Sequence, residues 1–202
     1  MKTIGLIGGM SWESSIEYYR IINETAKDKL GGLHSAKSLM VTVDFAEIEK
    51  LQHEGKWDEA AQILVKCAQG LERGGADFIV LCTNTMHKLA DQIIASVNIP
   101  FLHIADATAE KVISTGIRKI GLLGTRFTME NDFYKGRLIG NFGLDVLIPN
   151  EPDRAIIHRV IYEELVQGKI VEKSRAEYRR IMEKLITEGA QGIILGCTEI
   201  EL

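Results

Sequence analysis

Two polar segments, each preceded by an apolar run, contain the residues of this chain that are best suited to chemistry. Residues 82–85 read Cys-Thr-Asn-Thr after the run 78–81, and residues 196–199 read Gly-Cys-Thr-Glu after the run 192–195. A thiol can become a base at moderate pH, while hydroxyl and amide groups can hold a carboxylate. Each segment could therefore move a proton or bind a small polar substrate.

The two segments belong to one repeated phrase. Residues 75–85 align with residues 189–199 at a shift of 114 (189 minus 75), which places Thr83 opposite Cys197. An apolar run that ends in small polar residues is typical of a buried parallel strand, and ligands of open α/β sheets bind at the carboxyl ends of such strands. We therefore expect a site that takes one strand end from each of two related lobes.

Both segments also have a purely structural interpretation. Thr83, Asn84 and Thr85 lie where a helix should begin, and helix capping alone would explain them. Free cysteines are usually buried and inert, as we expect for Cys67. Cys197 differs because it precedes a predicted helix start, whose dipole lowers a thiol pKa. We expect a lowered pKa at Cys197.

A glycine-rich turn, Gly-Gly-Met-Ser at residues 8–11, follows the first apolar run. Its backbone N–H groups could bind an anion, or the segment could be only a tight turn from strand to helix. The glycine spacing does not fit a dinucleotide fingerprint. The chain also has no Cys or His pairs at zinc spacing, no Gly-x-Ser-x-Gly elbow and no P-loop.

Strand-like and helix-like segments alternate along the chain, which predicts βαβ units and parallel sheets. The predicted strands are 4–8, 38–43, 78–82, 101–104, 120–124, 145–148 and 192–196. The predicted helices are 14–29, 57–73, 85–96, 106–115, 154–166 and 174–188.

The repeat extends to the first strand of each half, because residues 4–8 (Ile-Gly-Leu-Ile-Gly) align with residues 120–124 (Ile-Gly-Leu-Leu-Gly). The predicted fold class is α/β, with two similar three-layer lobes that contain parallel sheets and are related by a pseudo-twofold duplication. We place the lobes at residues 1–101 and 102–202, with the crossover near Pro100.

Composition restricts the partners. The net charge is −4 and no basic block stands out, which argues against nucleic acid as the main partner. No apolar stretch is long enough to span a bilayer, and the amino terminus reads as a first strand instead of a signal peptide. Three cysteines, an odd number without framework spacing, suit a reducing cytoplasm.

Taken together, these segments resemble the aspartate/glutamate racemase family of cofactor-independent enzymes, over essentially the whole chain. The resemblance rests on residues 8–11 (Gly-Gly-Met-Ser), 44–48 (Asp-Phe-Ala-Glu-Ile), 82–87 (Cys-Thr-Asn-Thr-Met-His), 123–125 (Leu-Gly-Thr) and 194–199 (Ile-Leu-Gly-Cys-Thr-Glu). The pair formed by the third and the last of these motifs is the most specific part of the match.

The resemblance implies a mechanism without a cofactor or a metal. The family removes the α-proton of an amino acid on one face and returns a proton on the other, with one cysteine from each lobe. Without an electron sink, the site itself must supply electrostatic stabilisation and two positioned acid–base groups. The duplicated fold provides two strand ends for this purpose.

This chain departs from the family pattern in the first lobe. The usual motif is Cys-Asn-Thr, whereas here Thr83 precedes the Asn and the cysteine, Cys82, comes one residue earlier. Successive side chains of a strand point to opposite faces, so Cys82 should point away from the substrate unless the loop shifts. With Cys197 as base and Thr83 as its partner, the resemblance implies a preference for the L-enantiomer, because a hydroxyl deprotonates poorly.

Further residues are assigned by their positions in the family motifs. The α-carboxylate and amine of the substrate would be held by Met10, Asn84, Thr85 and Thr198. Glu199 would lie near Cys197, while Gln52 and Lys169 are candidates for the substrate's side-chain carboxylate. Some relatives have Arg in place of Gln52, which leaves the acidic amino acid open, and Lys169 could instead be a solvated surface lysine.

The resemblance also implies that the protein is a homodimer. Members of the family continue beyond the position that corresponds to residue 202. Two alternatives stay open. A related cysteine-dependent enzyme would isomerise maleate, racemise hydantoins or decarboxylate malonates, and a non-catalytic module would bind an amino acid without turning it over.

Overall fold

The computed structural model describes residues 1–201, with side chains described for residues 1–200, and it divides into two units. The first unit is Met1–His103 and the second begins at Ile104. The division lies two residues beyond the boundary predicted from the sequence.

The first unit contains a parallel four-stranded sheet in the order β2-β1-β3-β4. Its strands are β1 (Thr3–Gly8), β2 (Lys37–Thr42), β3 (Phe78–Leu81) and β4 (Phe101–Leu102). Its helices are α1 (Trp12–Leu30), α2 (Phe45–His53), α3 (Trp57–Arg73) and α4 (Ala90–Ile94), and a 3-10 helix at Thr85–Leu89 precedes α4.

The second unit contains a parallel three-stranded sheet in the order β6-β5-β7. Its strands are β5 (Lys119–Gly124), β6 (Asp145–Leu147) and β7 (Gly192–Gly196). Its helices are α5 (Ile104–Ser114), α6 (Arg126–Glu130), α7 (Lys135–Phe142), α8 (Glu151–Glu163) and α9 (Glu172–Thr187), with 3-10 helices at Leu165–Gln167 and Thr198–Glu201.

The two units repeat one topology, as the sequence repeat predicts. In each, the first strand lies in the centre, the second strand pairs on one side and the third pairs on the other. Helices cover both sides of the parallel sheets, so the predicted α/β class with two similar lobes is confirmed. In the second unit the two faces have separate cores, one around Ile157 and Ile181 and the other around Ala109 and Leu138.

All seven predicted strands are present, although the strand predicted at 101–104 ends at Leu102. The prediction missed three short helices, α2, α6 and α7. The helix predicted at 85–96 is a 3-10 helix followed by one short α-helix, so its first turns are tighter than the prediction assumed. Within residues 1–201, no helix has the length and apolar character needed to cross a membrane.

Candidate active site

The carboxyl end of β3 carries the candidate site residues of the first unit. The Cys82 N–H donates to the Ile7 carbonyl at 2.9 Å, continuing the pairing of β3 with β1 by one residue, and the Thr83 N–H then turns back to the Leu81 carbonyl at 2.9 Å. Thr83, Asn84 and Thr85 follow as buried polar residues. Asn84 makes no side-chain capping bond at the start of the 3-10 helix, so capping does not explain its amide.

Cys82 is the more deeply buried of the two candidates in this segment. Its side chain is fully buried, and burial raises the pKa of the thiol to about 12. A thiol with this pKa remains protonated at ordinary pH. The preference for Thr83 over Cys82 rests on the sequence repeat, which aligns Thr83 with Cys197.

The glycine-rich turn after β1 uses its polar groups internally. The Gly9 N–H donates to Ser15 Oγ at 2.8 Å, and Ser11 Oγ caps α1 by accepting from the Ser14 N–H at 3.4 Å. Gly9 has a φ of +93°, and a Cβ there would collide with the Val43 carbonyl. These contacts fit a tight turn. Met10, assigned to the substrate site, lies buried in the core of the unit.

Gln52 is brought to the same region by α2, a helix that the sequence prediction missed. Its side chain is buried, and its Nε2 lies 2.9 Å from Met86 Sδ in the 3-10 helix that follows Thr83. A thioether is a weak acceptor, so this contact holds the amide less firmly than an oxygen would. Gln52 is thus a buried, neutral polar group close to the end of β3.

The carboxyl end of β7 carries the candidate site residues of the second unit. Cys197 Sγ donates a hydrogen bond to Glu199 Oε2 at 2.8 Å, and the Thr198 hydroxyl donates to the same oxygen at 3.3 Å. Cys197 and Glu199 are both buried. Three of the assigned residues therefore form one hydrogen-bonded cluster.

The expected lowering of the Cys197 pKa is wrong. Burial raises the pKa of this thiol well above its ordinary value, and the charge of Glu199 and its hydrogen bond raise it further. The backbone N–H of Glu199 opposes them, which is the contribution that the helix argument anticipated. That contribution ranks below the other three, and the helix that follows Cys197 is a single 3-10 turn, whereas the Glu199 carboxylate lies 2.8 Å from Sγ.

Two glycines set the position of Cys197. Gly124 at the end of β5 pairs with Gly196 at the end of β7, and a Cβ on either would lie within 3 Å of a backbone carbonyl of the other strand. The strands approach so closely that neither position accepts a side chain. Thr125, which follows Gly124, caps α6 through its hydroxyl.

Lys169 does not join the cluster around Cys197. Its side chain is exposed, and its Nζ donates to Gln167 Oε1 at 2.7 Å. This environment corresponds to the surface alternative that the sequence left open.

Tyr178 of α9, for which the sequence predicts no role, is buried beside the β7 end. Its hydroxyl donates to the Ile157 carbonyl at 3.0 Å. Burial raises its pKa, and the charges of Cys197 and Glu164 raise it further. No local motif identifies this residue, because its approach to Cys197 depends on how α9 packs on the sheet. Among the described residues, no group of three or more His, Cys, Asp or Glu side chains could hold a metal ion.

Comparison with known proteins gives consistent matches. The family model described as Asp/Glu/Hydantoin racemase matches residues 7–202. The crystal structure of a proposed Asp/Glu racemase from Yersinia pestis is 58% identical to this chain in sequence, with a TM-score of 0.92, and the match covers 100% of this chain and 87% of that one. The crystal structure of an aspartate racemase homologue from Pyrococcus horikoshii OT3 is 37% identical, with a TM-score of 0.82, and the match covers 99% of this chain and 87% of that one.

A curated relative is more distant. The broad specificity amino-acid racemase RacX of Bacillus subtilis (strain 168) is 29% identical over 143 residues, which is 71% of this chain and 61% of that protein. The chain thus spans about three fifths of the length of this relative.

Proposed function

Because the chain belongs to the Asp/Glu/Hydantoin racemase family, we propose that it is a cofactor-independent amino-acid racemase that acts on L-aspartate and L-glutamate. The observation that carries the proposal is the buried pair of Cys197 and Glu199 at the end of β7. A thiol that donates to a carboxylate can pass its proton to that carboxylate and become a thiolate, which is the base that proton abstraction requires. No cofactor and no metal take part.

The proposed reaction begins at Cys197. The Cys197 thiolate takes the α-proton of the L-amino acid, and the S–H bond forms as the Cα–H bond breaks. The electron pair left on Cα is delocalised into the substrate carboxylate, which polar groups must stabilise. The raised pKa of Cys197 suits this step, because a thiolate with a high pKa is a strong base once it forms. The substrate ammonium, bound near Glu199, would favour that thiolate.

Thr83 supplies the proton on the opposite face. Its hydroxyl donates to Cα and takes a proton back from water. The hydroxide that this leaves is neutralised by the proton that Glu199 received from Cys197, which completes the inversion and restores the site. The reverse reaction requires Thr83 to remove a proton from the D-enantiomer, and a hydroxyl does this poorly at ordinary pH. The two directions are therefore unequal, and the enzyme prefers L-substrates as starting material.

The substrate is held by groups at the two strand ends. Asn84, Thr85 and Thr198 hold the α-carboxylate and the amine, and Met10, whose side chain is buried in the core, contributes through its backbone. The buried amide of Gln52 faces the substrate side chain, and Lys169 reaches it only if its exposed side chain changes partner.

A broader substrate range is the second candidate. Gln52 is neutral, and a buried amide pairs with an uncharged polar side chain at no electrostatic cost, whereas an Arg would select a carboxylate. The name of the Bacillus subtilis relative, a broad specificity amino-acid racemase, points in the same direction. Asparagine, glutamine and serine are the substrates to compare with aspartate and glutamate.

The experiment is α-proton exchange in D₂O, followed by NMR, with the L- and D-forms of aspartate and glutamate. The proposal predicts exchange from the L-forms that is lost in Cys197→Ser, and much slower exchange from the D-forms. Cys67→Ser is the matched control, since Cys67 is a half-buried thiol on α3. A folded protein that exchanges none of the four would move the function to a related cysteine-dependent reaction or to amino-acid binding alone.

We also propose that the protein is a homodimer that associates through α1. Trp12, Ile16 and Tyr19 are exposed and spaced so that they share one face of this helix. The variant Ile16→Lys should halve the mass measured by light scattering. The control is Ile21→Lys on the opposite face, since Ile21 is 49% exposed and Ile16 is 51% exposed. An unchanged mass in Ile16→Lys would contradict the proposal.

The proposed location is the cytoplasm. All three cysteines are free thiols, and the reaction needs Cys197 reduced.

A further inference from the structure

His87 lies one helical turn after Thr83 and contacts the segment that contains it. Its Nδ1 is 2.7 Å from the Thr83 carbonyl oxygen, and its backbone N–H donates to the Asn84 carbonyl at 3.1 Å. A carbonyl oxygen can only accept, so the Nδ1 of His87 carries a proton and donates it. One residue therefore holds the two successive carbonyls of Thr83 and Asn84.

Two neighbouring aromatic rings pack against the ring of His87. It is 2% exposed and packs edge-on against Phe101, with ring centroids 5.5 Å apart, and against His103, with centroids 4.5 Å apart. Phe101 belongs to β4, which pairs with β3 in parallel through Ile79, and His103 follows β4 directly. The sheet thus delivers both neighbours of the His87 ring beside the carboxyl end of β3.

We infer that His87 is the positioning residue for Thr83, an inference that rests on the proposed function. The hydrogen bond from Nδ1 fixes the plane of the peptide group between Thr83 and Asn84, and with it the direction of the bond from Cα to Cβ of Thr83. It also polarises that peptide group, which makes the Asn84 N–H a stronger donor. His87 acts through Thr83 and Asn84 and does not touch the substrate.

A hydroxyl needs this support more than a thiol would. Thr83 is a weak acid and must approach Cα closely and in line to deliver its proton, and an error of about 1 Å can cost on the order of 100-fold in rate. Loss of the His87 contact should therefore impair reprotonation at the Thr83 face and leave proton removal at Cys197 largely intact.

Two substitutions separate this role from simple packing. His87→Asn keeps an N–H donor near the position of Nδ1 but leaves space unfilled, whereas His87→Leu fills the space but has no donor. A packing role predicts that Leu is tolerated better than Asn. The positioning role predicts the reverse order for inversion of configuration.

The measurement compares two rates in D₂O with L-glutamate: deuterium entry at Cα, which Cys197 can perform alone, and formation of the D-enantiomer, which also needs Thr83. In His87→Leu the ratio of exchange to inversion should rise by about tenfold or more. In His87→Asn it should stay within roughly threefold of the parent. An unchanged ratio in His87→Leu, or faster inversion in Leu than in Asn, would overturn the inference.

The control is His53→Leu. His53 makes the same local contact, from Nδ1 to the carbonyl oxygen four residues earlier (Glu49) at 3.0 Å, but its side chain is 46% exposed on α2. This variant should leave the ratio unchanged.

A readout that does not need turnover separates failure of the inference from failure of the proposed function. In the ¹⁵N-labelled protein, the His87 ring should show its proton on Nδ1, and an Nε2–H tautomer would overturn the contact itself. If the parent protein neither exchanges nor inverts any of the substrates while His87 shows the Nδ1–H tautomer, the proposed function fails. The positioning role in catalysis then fails with it, and the contact is only structural.

Discussion

The carboxyl ends of β3 and β7 occupy equivalent places in two units with the same strand order, yet they are supported in opposite ways. At the end of β3, His87 contacts the backbone carbonyl of Thr83 and not its hydroxyl group. At the end of β7, Glu199 contacts the side chain of Cys197 and raises its pKa. The neighbour at one end therefore shifts the pKa of the acid–base group, and the neighbour at the other end fixes its position. The duplication has kept the geometry, and the chemistry has diverged.

The largest effect should come from Cys197→Thr, which makes both strand ends hydroxyls. Neither face then has a group that can become a base at ordinary pH. We expect the rate of deuterium entry at Cα of L-glutamate to fall by at least about 10³-fold, with the thermal unfolding curve little changed. A variant that retains a tenth of the exchange rate would contradict the role of Cys197 as base.

The reciprocal change, Thr83→Cys, makes both ends thiols. A thiol at position 83 can remove the α-proton of a D-amino acid, so kcat for D-glutamate should rise by about 10²-fold. The rate from L-glutamate should change less, because Cys197 already performs that abstraction. The measurement is the ratio of the two kcat values, followed by circular dichroism. If the ratio does not move, Thr83 does not face the substrate.

Glu199→Gln should produce two effects of opposite sign. Loss of the carboxylate charge removes part of what raises the Cys197 pKa, so the folded-state pKa falls and the thiolate appears at lower pH. Alkylation of Cys197 by iodoacetamide should therefore begin at lower pH than in the parent. Turnover should nevertheless fall by about 10- to 100-fold, because the amide cannot take the thiol proton. Alkylation and turnover that rise together would show that Glu199 acts only through its charge.

The folded pKa of Cys197 also sets a pH dependence of stability. This pKa is raised, so the folded state keeps the thiol proton more tightly than the unfolded chain does. The protonated Cys197 thiol stabilises the fold fully when the pH lies below both pKa values, that is, below the unfolded thiol value of about 8.5. That contribution is lost as the pH rises toward the folded value. In Glu199→Gln the loss should begin at the same pH, which the unfolded thiol sets, but should end at lower pH and be smaller in total, because the folded pKa is lower.

The difference between the two ends also shows how far the sequence could predict this protein. Local apolar runs predict the seven strands. A shift of 114 residues predicts the repeated order of elements and aligns Thr83 with Cys197 in the sequence. The Cys197 pKa was predicted with the wrong sign. Motif spacing places a carboxylate two residues away but does not tell whether it meets the thiol, and only side-chain geometry shows that it does, at 2.8 Å.

The missed helix α2 had a further consequence. Without it, Gln52 could be assigned only by resemblance, whereas in the fold it comes from a helix of nine residues whose apolar face is short. For Lys169 the family position points to the site, whereas the side chain lies at the surface and contacts Gln167. Position in a motif transfers between relatives more reliably where a strand end fixes the backbone than where a loop does.

The smallest effect concerns the residue that precedes each acid–base group. The repeat aligns Cys82 with Gly196, so one unit accepts a buried side chain at this position and the other excludes one. In Gly196→Ala the new Cβ would lie 2.7 Å from the Leu123 carbonyl oxygen, and the strands would have to separate. We expect the free energy of unfolding to fall by about 1–3 kcal/mol.

Urea unfolding measures this change, and Gly140→Ala provides the comparison. Gly140 lies within α7, and a Cβ there meets nothing within 4 Å, so alanine should stabilise that helix by up to about 1 kcal/mol. Opposite shifts of the two urea midpoints would show that the close approach of β5 and β7 excludes a side chain at residue 196, the position that precedes Cys197. If Gly196→Ala is as stable as the parent, the two ends tolerate the same residues, and the absence of a thiol-bearing residue at 196 has no steric cause.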